Sequence, residues 1–116
     1  MLAEVVQGQR KDVRGFTWWG DGGTFETSLR PNDSNPDLVT HSYCDGNPPN
    51  PPANCTGTTD SSGYPIRAFG ARSRHSGGVN VCFCDGSCKF IANSISAPTW
   101  QALGTSQGGE VLQGDY

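Results

Sequence analysis

Hydrophobic and polar residues alternate in short runs of period two, and helical periodicity is nearly missing, so the sequence predicts a sheet-rich fold with long connections. Residues 2–6 and 13–19 read as strands. Gly20-Asp21-Gly22-Gly23 forms a turn suited to glycine, and residues 24–29 are expected to return as the second strand of a hairpin. Residues 38–43 make a shorter strand. Residues 44–65 hold five prolines among Gly, Asn, Ser and Thr, a composition expected to form no ladder and to run as a long surface loop.

The clearest local pattern is Val79-Asn80-Val81-Cys82-Phe83-Cys84, then Asp85-Gly86, then Ser87-Cys88-Lys89-Phe90-Ile91. Asp-Gly between alternating runs predicts a hairpin over 79–91 closed by a two-residue type I′ turn. In that register Val81 faces Phe90 and Phe83 faces Cys88. These four and Val79 would share the buried side, with Asn80, Cys82, Cys84, Ser87 and Lys89 opposite. A short helix is expected over 96–103, with Ser96 as N-cap, Pro98 in the first turn, Gly104 as terminator, and Trp100 and Leu103 on its faces. Residues 110–112 are expected to add an edge strand. The fold class is therefore α+β, mainly antiparallel β, as one domain over 1–116 with no internal repeat.

Composition adjusts this picture in a few places. The 116 residues include 16 glycines and 8 prolines, a loop-rich share, but the net charge of −3 lacks the large excess typical of disordered chains. One small core needs cross-links or neighbours for stability. The mild acidity and scattered basic residues offer no stripe to track phosphates, so nucleic acid is not an expected partner. No apolar run approaches the roughly 18 residues of a membrane span.

Five cysteines are present. Cys44 and Cys55 bracket the proline-rich stretch, and a disulfide between them would stabilise the fold by about 3 kcal/mol through loop closure. Cys82, Cys84 and Cys88 stay unassigned: adjacent bridges of the Cys-x-Cys type are strained, and small half-buried apolar residues are the plainer reading. Zinc would need two close pairs or two histidines, and only His41 and His75 exist, so no metal site is expected. An odd count leaves at least one thiol free or bonded elsewhere.

Sequons at Asn32 and Asn54 fall in expected loops, and Thr56, Thr58 and Thr59 with the nearby serines offer an O-linked surface. Asp21, Asp33, Asp45, Asp60 and Asp85 sit in turns where calcium is collected, but no Asp-x-Asp-x-Asp series is present and turn formation accounts for them. No catalytic residue is assigned, because Ser73 and Ser76 merely flank His75 and no Gly-x-Ser-x-Gly elbow exists. Trp18 and Trp19 must face opposite sides of any strand, so one indole needs cover from outside the core: a subunit interface, which an exposed Trp on a sheet edge favours, a sugar, or a missing part of the chain. The rival reading is a cell-surface glycan-binding module, in which Trp18 or Trp19, Tyr43 and Tyr64 stack on sugars and calcium orders the loops.

His75, nine residues, then Asp85-Gly86 resembles the signature of a bacterial prepilin-type family named for that spacing. Asp12-Val13-Arg14-Gly15, Trp18-Trp19-Gly20-Asp21-Gly22, the run 73–81, Lys89-Phe90-Ile91 and Trp100-Gln101-Ala102-Leu103-Gly104 extend the resemblance over most of the chain. It implies the head region of a pilin-like or pseudopilin-like exported protein without enzymatic activity. Its copies would assemble into an extracellular filament or surface appendage, which carries glycans if the sequons are used. The prepilin cleavage motif and hydrophobic assembly helix of that family are absent from these residues, so the resemblance also implies that the protein begins upstream of Met1. Without that helix, subunits would join by sheet edges or surface patches. His75 and Asp85 lie roughly 30 Å apart along an extended strand and are not expected to form one site. Asp85 and Gly86 make the turn, and His75 anchors the loop entering the hairpin.

Overall fold

The computed structural model describes residues 1–16, 23–40, 43, 55–57, 59–64, 66–112, 114 and 116. Among these, the chain forms a small α+β fold with a mainly antiparallel sheet and one short helix near the C-terminus. β1 (Leu2–Ala3), β4 (Gly78–Cys82) and β5 (Cys88–Ala92) make an antiparallel sheet in the order β1-β4-β5. β2 (Asp37–Val39) and β3 (Cys55–Gly57) form a separate parallel pair, Asp37 opposite Cys55 and Val39 opposite Gly57.

The hairpin lies where the sequence placed it, but its register is shifted by one residue. Val79 pairs with Ile91, Val81 with Lys89 and Cys82 with Cys88, so three residues, not two, close the turn. The Phe83 carbonyl accepts from Gly86 N at 3.0 Å, Phe83 N donates to the Ser87 carbonyl at 2.8 Å, and Gly86 takes φ 83°. This is the three-residue loop with a left-handed glycine, which competes with the two-residue turn for the same Asp-Gly dipeptide. Because side chains alternate, the shift turns all of β5 over. Ile91 is fully buried with Val79 and Val81, whereas Phe90 is 50% exposed on the opposite face with Cys88. The expected burial of Phe90 and Cys88 is thereby corrected.

The main core joins Val79, Val81 and Ile91 to Ala71, Ile95 and Trp100. Each such branched aliphatic side chain contributes about 1.5–3 kcal/mol of burial. Trp100 comes from α1 (Ala97–Leu103), and its indole N–H donates to the Leu29 carbonyl at 2.7 Å, so its one polar atom is satisfied in the interior. The helix starts as expected: Ser96 Oγ accepts from Thr99 N at 3.2 Å, and Pro98 occupies the first turn, where its missing N–H costs nothing. A second cluster, Val39, Cys55 and Phe69, sits under the parallel pair.

Four other strand expectations need correction. β1 stops at Ala3, with one further backbone bond from Glu4 N to the Asn80 carbonyl. Residues 13–16 turn instead of extending, because Gly15 adopts φ 78° and Arg14 folds back onto Asp12; the rest of the expected strand, with Trp18, Trp19 and the Gly20–Gly22 turn, lies outside the described residues. Residues 24–29 form no strand: Thr27 and Ser28 turn, and among the described residues the segment makes one backbone–backbone bond, Glu26 N to the Phe69 carbonyl. Residues 110–112 form no strand. The stretch expected to form no ladder does contribute β3, since Cys55-Thr56-Gly57 follows four of its five prolines and carries none itself.

Candidate functional site

Four buried charges organise the end of the molecule where the chain begins. Asp12, Arg14, Asp37 and Arg72 are each at most 2% exposed. Arg14 grips Asp12 through Nε at 2.9 Å and Nη2 at 2.6 Å, and reaches Asp37 Oδ2 through Nη1 at 2.8 Å. Arg72 donates to Asp37 Oδ1 from Nε at 3.1 Å and Nη2 at 2.8 Å, and its remaining donors meet the Asp33 and Asn35 carbonyls. Gly70 N adds a fourth bond to Asp37. Two positive and two negative groups cancel, and the planar forks of arginine satisfy the carboxylates on several sides, which is what lets such charges be buried. Burial lowers the Arg14 pKa, but the bonds to Asp12 and Asp37 outweigh it and hold the guanidinium above its ordinary value.

This quartet fixes an extended arm, residues 4–9. Gly8 N donates to the Arg14 carbonyl at 2.8 Å. Gly15 lies so close behind the arm that a Cβ there would meet the Val6 carbonyl and Gln7 Cα at 2.8 Å, and its positive φ independently requires glycine. Opposite the arm runs residues 72–75, tied to it by Arg72 N donating to the Glu4 carbonyl at 2.8 Å. Beyond that bond the two segments enclose an open groove of about 630 Å³.

His75 is among the residues that line the groove. Its Nε2 lies 3.0 Å from Glu4 Oε1, so that nitrogen carries the proton and donates to the carboxylate. Asn80 completes the cluster: its N donates to Glu4 Oε2 at 2.7 Å and its Nδ2 to Oε1 at 3.1 Å. Partial burial raises the Glu4 pKa, but the Asn80 and His75 bonds prevail and hold it below the ordinary value. The His75 ring also meets Phe90 edge-on, centroids 6.3 Å apart. His75 thus joins the loop entering the hairpin to the end of β1, through a carboxylate that sequence reasoning did not pair with it. A Glu one residue past an N-terminal strand was the available signal.

The other signature residues serve the turn. Asp85 Oδ1 accepts from Ser87 Oγ at 2.7 Å and Ser87 N at 2.9 Å, bonds that hold its carboxylate below the usual range, while Gly86 supplies the left-handed position. Neither is among the groove's lining residues. Cys82 and Cys88 are disulfide-bonded across β4 and β5, with Cα atoms 4.1 Å apart. The one-residue register shift makes them direct neighbours at a closely spaced, non-hydrogen-bonded pair. Cys84 is a free, exposed thiol. Cys55 is buried and disulfide-bonded; Cys44 lies outside the described residues.

Of the glycan acceptors, Thr56 and Thr59 are exposed, and Asn54 and Thr58 fall outside the described residues. Asn32 is in a different situation. Its Nδ2 donates to the Gly78 carbonyl and to Asn93 Oδ1, and its Oδ1 accepts from Ser73 N at 2.8 Å, so a glycan there would displace bonds that tie three segments together. Tyr43 packs against the Val39 cluster, whereas Tyr64 is 72% exposed on the turn that Asp60 closes. The carboxylates of Asp33, Asp60 and Asp85 are occupied by backbone amides of their own turns, and no three metal-ligating side chains converge among the described residues.

Comparison with known proteins gives the lineage. Residues 1–97 match the model of a family described as protein of unknown function, DUF1559, whose members are bacterial prepilin-like and pseudopilin-like proteins. The chain belongs to the DUF1559 family. Every residue of the quartet, the arm and the His75 cluster falls within the DUF1559 match, and α1 begins at its end. No curated protein and no solved structure matches the chain. Among the described residues, no helix is long and apolar enough to cross a membrane.

Proposed function

We propose that this DUF1559 chain is the head region of a pilin-like structural subunit, which assembles with copies of itself into an extracellular filament or surface appendage. The observation that carries the reading is the family match over residues 1–97. Two features support it. β5 is an edge strand in the order β1-β4-β5, and the outward backbone groups of Cys88 and Phe90 have no partner among the described residues. Such an edge, with a half-exposed Phe90 beside it, is a template for pairing with another chain. The Cys82–Cys88 disulfide suits an oxidising compartment outside the cytoplasm.

In this reading Trp18 and Trp19 contribute to contacts between subunits, a Cys44–Cys55 bond pins the proline-rich loop, and exposed Thr56 and Thr59 are the accessible O-glycan acceptors. The role is structural and involves no turnover, so His75→Ala changes stability or assembly. Size-exclusion chromatography with light scattering and negative-stain imaging of the full-length gene product test the proposal. Fibres or ordered oligomers are expected; a strictly monomeric, non-fibrous product contradicts it.

A further inference from the structure

We propose that the groove between residues 4–9 and 72–75 binds a short neutral oligosaccharide. Its volume, about 630 Å³, lies in the range of small-ligand sites. The floor is buried and fixed, built from Val6, Gly8, Arg72 and Ser73. The rim is exposed and polar: Gln7, Gln9, Arg74 and His75, with the Glu4 carboxylate one-third open to solvent.

Charge and polarity select the ligand class. Arg72 is neutralised by Asp37, and Glu4 and Arg74 carry opposite signs, so the groove has no net field to gather a phosphate or a polyamine. Among the described residues, Val5 and Val6 are its only aliphatic side chains, too few to cover a lipid or an apolar drug-like molecule. What remains is a close set of amide, carboxylate, imidazole and guanidinium groups that mixes donors and acceptors, which is the complement of hydroxyls that both donate and accept. With Nε2 donating to Glu4, the His75 Nδ1 has no protein partner among the described residues.

One further observation bears on affinity: Glu4 is already ordered by three hydrogen bonds and the arm is backed by Gly15, so little conformational entropy is lost when hydroxyls replace water. The site goes beyond the filament reading, and neither depends on the other.

The test is a titration of ¹⁵N-labelled full chain with maltotetraose, cellotetraose and chitotetraose at millimolar concentration, followed by amide chemical shifts. At least one sugar is expected to shift amides of residues 4–9 and 72–75. Gln9→Ala, at an exposed side chain, is expected to weaken that binding about fivefold, the value of one net hydrogen bond, with an unchanged circular dichroism spectrum. His75→Ala removes the open Nδ1 and should weaken it at least as much. No shift with any of the three sugars, or shifts confined to residues outside the groove, overturns the proposal. So does groove binding by a tetrapeptide control when the sugars are inert.

Discussion

Replacing Asp37 by Asn tests whether the buried quartet holds the parallel pair, the arm and residues 70–72 together. Asp37 accepts four hydrogen bonds, from Arg14 Nη1, Arg72 Nε and Nη2, and Gly70 N, all between 2.8 and 3.1 Å, and is 1% exposed. An amide of the same shape keeps one acceptor oxygen and presents an NH₂ to a guanidinium. It also leaves two arginines facing one remaining carboxylate, Asp12, so one positive charge stays buried without compensation. Breaking a buried pair in this way costs about 3–5 kcal/mol. For a chain of this size that is a fall in Tm of roughly 12–20 °C. Urea unfolding followed by circular dichroism measures it. The control is Asp33→Asn: its ion pair with half-exposed Arg30 is 3.6 Å long, and the amide oxygen still accepts from Asn35 N, so the change should cost under about 1 kcal/mol. A loss at Asp37 no larger than at Asp33 would refute the reasoning, because it would mean that the quartet relaxes or is solvated.

Other consequences are equally accessible. Cys82→Ser with Cys88→Ser opens a loop with a sequence separation of 6, and the chain-entropy relation gives a loss of about 2 kcal/mol in urea unfolding; no change would mean that the β4–β5 pairing needs no staple. Gly15→Ala places a Cβ against the Val6 carbonyl at a positive φ and should cost over about 1 kcal/mol by the same assay. The folded-state pKa of Glu4 is depressed, so its contribution to stability is full above its unfolded value and is lost as pH falls through the folded one. Urea midpoints measured between neutral and acid pH should therefore fall less steeply in Glu4→Gln than in the parent. Intact-mass and peptide mapping should find Asn32 unmodified in folded protein, since its amide nitrogen is doubly engaged.

The elements with local causes were legible in the sequence. Ser96, Pro98 and Gly104 frame α1 through contacts within a few residues, and Asp85-Gly86 marks a turn in either register. What the dipeptide does not carry is the loop length, and a shift of one residue decides whether Phe90 or Ile91 enters the core and whether Cys82 meets Cys88. Long-range features were hidden for a different reason. Asp12, Arg14, Asp37 and Arg72 are scattered along the chain, and single charges in turns read as solvated. A hint was present in Ala71-Arg72-Ser73, where an arginine sits among small residues, and in the Asp12-x-Arg14 spacing that makes a fork close on its own turn. The parallel pairing of β2 with β3 spans the proline-rich stretch and rests on Cys55 packing with Val39 and Phe69, which no local pattern encodes.

The filament assignment is tested most directly by immunogold electron microscopy of cells producing the full-length protein, with antibodies raised against these 116 residues. Gold arrayed along surface fibres, and absent from cells lacking the gene, is the predicted result. Label confined to the cytoplasm, or dispersed over a surface without fibres, would contradict it.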